Sequence, residues 1–187
     1  MSHPVRFLVV GGLLVMLGGC SDTAPTAPPP NGSAAVLAPT VIGQARGKPT
    51  RSPLPPAEDF EAPAGLWCSF GVFVHDIVNN QVVKTFPPEP NGDIVQLITG
   101  RYVTSVTNTS TGKSITVNIS GPARITTHPD GSATLVATGR WFIADVENAP
   151  TEAFISSGRV VVSFAPDGTA TLVSQSGHVE DICALLS

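Results

Sequence analysis

Few side chains in this sequence are placed to do chemistry. Its histidines are His3, His75, His128 and His178. The spacing His178-x-Glu180, with Asp181 adjacent, puts two metal-ligand types on one face of a strand. A catalytic zinc needs about three protein ligands and an open position, so a solvated strand end is the reading and no metal or other cofactor is expected. His75 and Asp76 fall on opposite faces of a strand and are expected where it meets water, while His128 precedes a Pro-Asp-Gly turn. Carboxylates for glycoside chemistry would have to be paired across the sugar, yet Asp130 and Asp167 are accounted for by their turns, and Asp145, Glu147 and Glu152 flank one loop. No Gly-x-Ser-x-Gly elbow is present to expose a nucleophilic serine. The binding candidates are aromatic: Tyr102 and Trp141 each follow Thr-Gly-Arg. They either stack on sugar rings at the surface or fill a core twice, and core filling is expected because large aromatics dominate small cores. Arg101 and Arg140 repeat with them and should point the other way, as exposed residues that discourage sheet association or as an anion site.

The elements that must position these residues are strands. Ser114 to Ser120 alternates apolar and polar without a break, placing Ile115, Val117 and Ile119 on one face. Comparable runs occur at 67–77, 81–86, 93–98, 101–107, 123–127, 132–138, 141–146, 159–164 and 169–174, rich in Val, Ile, Thr and aromatics and bounded by Gly, Pro, Asn or Asp. The one helical expectation is a single turn after Asp181, capped by its carboxylate. Residues 120–139 align without gaps on 157–176, sharing Pro-Asp-Gly-x-Ala-Thr-Leu-Val, and Pro90-Asn91-Gly92 leads to Thr99-Gly100-Arg101-Tyr102 as Pro129-Asp130-Gly131 leads to Thr138-Gly139-Arg140-Trp141. Proline presets the first turn position, Asp or Asn tolerates the second, and glycine takes the positive φ of a hairpin return. Consecutive short hairpins leave no room for crossover helices. The expected fold is therefore all-β, an antiparallel meander of about ten strands in a closed or nearly closed barrel that hides its edges, with a two-sheet sandwich as the alternative.

Arg6, the apolar run from Phe7 to Leu17, and Leu17-Gly18-Gly19-Cys20 resemble the signal of bacterial lipoprotein precursors, with its Leu-x-Gly-Cys lipobox. The resemblance implies cleavage before Cys20, whose sulfur then carries diacylglycerol, and a lipid-anchored protein on the extracytoplasmic face of the cell membrane. The run is shorter than the roughly 20 residues of a spanning helix. An ordinary secretory signal, leading to a secreted protein, is the alternative. From residue 20 to 64 the composition turns to Ala, Pro, Thr and Gly, with Pro28-Pro29-Pro30 and Pro53-Leu54-Pro55-Pro56. Such a stretch buries too little apolar surface to order itself, so a disordered tether is expected. Residues 65–187 then form one β domain.

If lipidation takes Cys20, two of the three cysteines remain, Cys68 and Cys183, in a compartment where disulfides persist. A bridge between them is expected, with two buried free thiols as the other possibility. The folded part is also similar to uncharacterised exported proteins of high-GC Gram-positive bacteria, through Cys68-x-Phe70, Thr111-Gly112-Lys113-Ser114, Ile119 to Arg124 and Asp181-Ile182-Cys183-Ala184. That similarity supports the bracketing disulfide and implies no activity.

Between Leu66 and Ser187 six Lys and Arg stand against ten Asp and Glu, a net charge of −4. Without a basic cluster to neutralise phosphates, nucleic acid is not an expected partner. The expected role is non-enzymatic binding of an envelope component, a protein or a small apolar ligand. A hydrolase of envelope polymers and a structural spacer are the alternatives.

Overall fold

A computed structural model describes residues 47–187 of the chain. The expected leader, Cys20 and most of the expected tether lie outside the described residues. The described residues form eleven strands: β1 (Thr50–Pro53), β2 (Phe60–Ala62), β3 (Val72–Asn79), β4 (Val82–Thr85), β5 (Ile94–Thr99), β6 (Tyr102–Asn108), β7 (Ser114–Asn118), β8 (Ala123–Thr127), β9 (Ala133–Ala144), β10 (Ala153–Phe164) and β11 (Ala170–Asp181). The runs expected at 132–138 and 141–146 are one strand, β9, which continues unbroken through Gly139.

The three Pro-Asp/Asn-Gly turns share one hydrogen-bonding plan. The N–H groups of Gly92, Gly131 and Gly168 donate to the carbonyls of Glu89, His128 and Ala165 at 2.8, 3.0 and 2.8 Å. The side chains of Asn91, Asp130 and Asp167 accept from the N–H two residues on, at 3.1, 2.9 and 2.9 Å. This Asx geometry removes a backbone donor from solvent and sets each hairpin register.

All strand ladders are antiparallel, in two sheets: one of seven strands in the order β1-β4-β5-β8-β9-β10-β11 and one of four in the order β2-β3-β6-β7. The two orders match strand for strand. The chain leaves β3 for β4 through Asn80, β5 for β6 through Gly100, and β7 for β8 through Gly121, so neighbours in one sheet continue as neighbours in the other. Across the three longest strands the same line is carried by Gly139, Gly158 and Gly177, which are register partners. The strands approach closely at Gly158 and Gly177, where a Cβ would overlap the carbonyl oxygens of Ser176 and Ser157 respectively. Glycine is what lets the ribbon bend there.

The closed barrel is not formed. Past the glycine line β7 is an edge, and the second half of β9 and the first half of β10 run between two hydrophobic clusters. Phe142, Ala144, Ala153 and Ile155 pack with Val72, Val74, Tyr102, Val106 and Val117 of the four-stranded sheet. Trp141, Ile143 and Phe154 pack on the other side with Val83, Ile98, Leu135, Val160 and Val162. A barrel buries one face of each strand, whereas the runs Trp141-Phe142-Ile143-Ala144 and Ala153-Phe154-Ile155 are apolar on both and need two cores. The result accords with the two-sheet alternative.

The stretch from Gly47 to Ala64, expected to belong to the tether, contributes β1 and β2. Leu54 is buried in the second cluster and Ala62 in the first, so short apolar anchors among the prolines are enough to order this segment once neighbouring strands offer a ladder. At the other end Asp181 caps α1 (Ile182–Leu186), accepting from the N–H groups of Cys183 at 2.7 Å and Ala184 at 3.1 Å. Ile182 and Leu186 enter the first cluster. No helix of the described residues is long and apolar enough to cross a membrane.

Candidate functional site

Tyr102 and Trp141 are interior residues, 1% and 3% exposed, in different clusters. Their ring faces are therefore not at the surface, and the sugar-stacking role has no platform in them. The Tyr102 hydroxyl donates to Asp76 Oδ1 at 2.5 Å, and Asp76 Oδ2 accepts from the Ala57 N–H at 3.2 Å. Burial pushes the Tyr102 phenol well above its ordinary range, and the Asp76 carboxylate pushes it further. Asp76, expected at the water line, instead faces inward. It shares the alternation of Val72 and Val74 on β3, so the period alone carried that signal; its partner came from the register that sets β3 against β6. A bulge at Ile77 follows directly and leaves that side chain in solvent.

Trp141 lies against Gly121, where a Cβ would collide with its indole. Its Nε1–H is buried without a partner, as is the hydroxyl of Ser156, its register partner on β10. Arg101 and Arg140 are exposed. Arg140 Nη2 donates to Glu180 Oε2 at 2.8 Å, so this guanidinium already has a carboxylate partner.

The titratable groups are scattered. His128 Nδ1 lies 2.9 Å from Asp93 Oδ1, and this hydrogen bond, more than any other contact, holds the Asp93 carboxyl below its ordinary range. His75 Nδ1 lies 2.7 Å from Asp59 Oδ1 in an exposed pair, and His178 Nε2 is 3.9 Å from Glu180 Oε1. Hydrogen bonds from Ser132 and Thr169 likewise lower Asp130 and Asp167. Asp145 is the exception. It sits in the left-handed region at φ 55°, as does Asn148 at 61° three residues on. Burial raises its pKa, the Trp67 indole N–H beside it offsets part of that rise, and the Glu152 charge adds to it. The sequence places Asp145 in a loop; the indole beside it belongs to Trp67, 78 positions away in the chain. Among the described residues no three His, Cys, Asp or Glu side chains gather as a metal site.

Cys68 and Cys183 form a disulfide with Cα atoms 5.4 Å apart, pinning the segment before β3 to α1. A cavity lined by Leu135, Phe142, Ile143, Val146, Val162 and Phe164 has a volume of about 10 Å³, no more than a single water molecule needs. Comparison with protein-family models, curated proteins and solved structures finds no match to this chain.

Proposed function

We propose that this chain is an exported β domain, anchored through a lipid on Cys20 at the extracytoplasmic face of the cell membrane, that binds an envelope component or another protein through its outer surface. The observation that carries this reading is the Cys68–Cys183 bridge. It joins the segment between β2 and β3 to α1 at the other end of the domain, and structural bridges of this kind persist in oxidising compartments outside the cytoplasm. The lipobox residues at positions 17–20 supply the means of attachment. A small-molecule carrier would need a pocket of about 300–1,000 Å³, which the cavity beside Phe142 and Val162, at about 10 Å³, does not supply.

Metabolic labelling with a fatty-acid analogue tests the anchor. The wild-type chain should take up label and Cys20→Ala should not; equal labelling of the two would end the lipoprotein reading. Capture from envelope extracts on the immobilised full chain, repeated after reduction of the bridge, tests the binding role.

A further inference from the structure

The free edges of the two sheets are unequal. Edge strands expose unpaired backbone groups, and proteins blunt them by keeping them short or by adding proline, lysine or a covering loop. Edge β1 has four residues, ends in Pro53 and is followed by Pro55 and Pro56; edge β2 has three residues and is followed by Pro63; edge β7 has five. Edge β11 has twelve, with no Pro, Lys or Arg. Its first residues are covered: Leu172 N–H donates to the Glu147 carbonyl and Glu147 N–H to the Ala170 carbonyl, both at 2.9 Å. From Val173 onward no described residue pairs with its outer side. Val173 itself, the extra residue of the bulge against Val161 and Val162, is 60% exposed.

We propose that β11 is a self-pairing edge, through which two copies of this chain join antiparallel about a two-fold axis at Ser176. In that register Val173 of one copy faces Val179 of the other, Ser174 faces His178 and Gln175 faces Gly177. The exposed Ser174, Ser176 and His178 thereby gain polar cross-strand neighbours, while Val179 stays packed on the second cluster. No like charges oppose each other: Glu180 lies beyond the paired segment and is already balanced by Arg140. The self-complementarity is what selects a second copy over an unrelated strand, since an isologous contact closes at the dimer. A seven-residue ladder is a small interface, so the association is reversible and concentration-dependent. The pairing does not require that Cys20 be acylated.

Single cysteines on the full chain test the register. With Ser176→Cys the new thiols meet across the axis, and a reductant-sensitive dimer should appear on non-reducing gels. With Ser174→Cys, two positions away on the same edge, the thiols are about 13 Å apart, beyond the roughly 7 Å that a disulfide tolerates, and no dimer should form. In sedimentation of the otherwise unchanged chain, mass should approach twice the monomer value as concentration rises, and Ser176→Asp, which sets two carboxylates face to face, should return it to the monomer. Equal cross-linking at both positions, none at Ser176→Cys, an unchanged mass in Ser176→Asp, or species growing past the dimer would each overturn the proposal; the last would point to head-to-tail pairing of β11 with β1.

Discussion

The Tyr102 hydroxyl donates to Asp76 Oδ1 at 2.5 Å, joining β6 to β3 beside the bulge at Ile77. Tyr102→Phe leaves that carboxylate with the Ala57 N–H alone, and hydrogen bonds to charged groups contribute roughly 1.5–3 kcal/mol. A loss of that size is expected in urea unfolding, and the losses in Tyr102→Phe and Asp76→Asn should be strongly non-additive. Additive losses would show that the pair is not coupled.

The same pair sets an alkaline limit. The folded phenol titrates above its unfolded value of about 10, so its contribution to stability is present below that pH and is lost as pH rises beyond it. Tyr102 is the one tyrosine in the chain, so phenolate absorbance reports it alone. Absorbance should rise only together with loss of the native fold; a smooth titration in the folded protein near pH 10 would contradict the buried pair.

Gly177 is at φ 92°, and a Cβ there would overlap the Ser157 carbonyl oxygen and lie 3.0 Å from Gly158 Cα. Gly177→Ala should therefore cost more than roughly 3 kcal/mol, the upper end of single-substitution effects. Gly112→Ala is the comparison: φ is 74°, but the space around it is open. Only the left-handed backbone cost of roughly 1–2 kcal/mol applies there. Thermal denaturation of both variants separates the steric contribution from the torsional one.

At Asp145 the raised pKa means the folded state favours the protonated carboxyl. The favourable contribution is complete below the unfolded value of about 3.9 and disappears as pH rises through the folded value, so at neutral pH the charge is a burden. Asp145→Asn keeps a residue tolerant of positive φ and should raise Tm at pH 7, with the gain shrinking as pH is lowered towards 4. A lower Tm at pH 7 would show that the Trp67 contact outweighs the desolvation.

Reduction of Cys68–Cys183 releases a loop with a sequence separation of 115. Loops of about 100 residues correspond to roughly 4–5 kcal/mol of chain entropy. Cys68→Ala with Cys183→Ala should lower the unfolding free energy by an amount of that order, and reductant should then have no further effect.

Most of the strands were legible because alternation and turn chemistry are local. The period of Ile115, Val117 and Ile119 and the three Pro-Asp/Asn-Gly turns appear in the structure where the residues place them. So does the Asp181-capped turn. The segment before Ala64 was misjudged because its ordering depends on partners: Arg51 pairs with Lys84 and Glu61 with Phe73, both distant in sequence. Asp76 was misplaced for a related reason, since a carboxylate on an apolar face reads as solvated until its Tyr102 partner is known.

What the residues determined by themselves was a disulfide-capable, all-strand chain punctuated by identical hairpins, since each of those properties is written within a few neighbouring positions. The tertiary structure alone decided that Tyr102 and Trp141, alike in their Thr-Gly-Arg context, enter different clusters. Past Gly100 the chain turns into the four-stranded sheet, while past Gly139 it continues along β9 with both faces covered. Which face of a strand is covered, and by what, depends on where the bent sheet meets itself, and no local pattern records that distance.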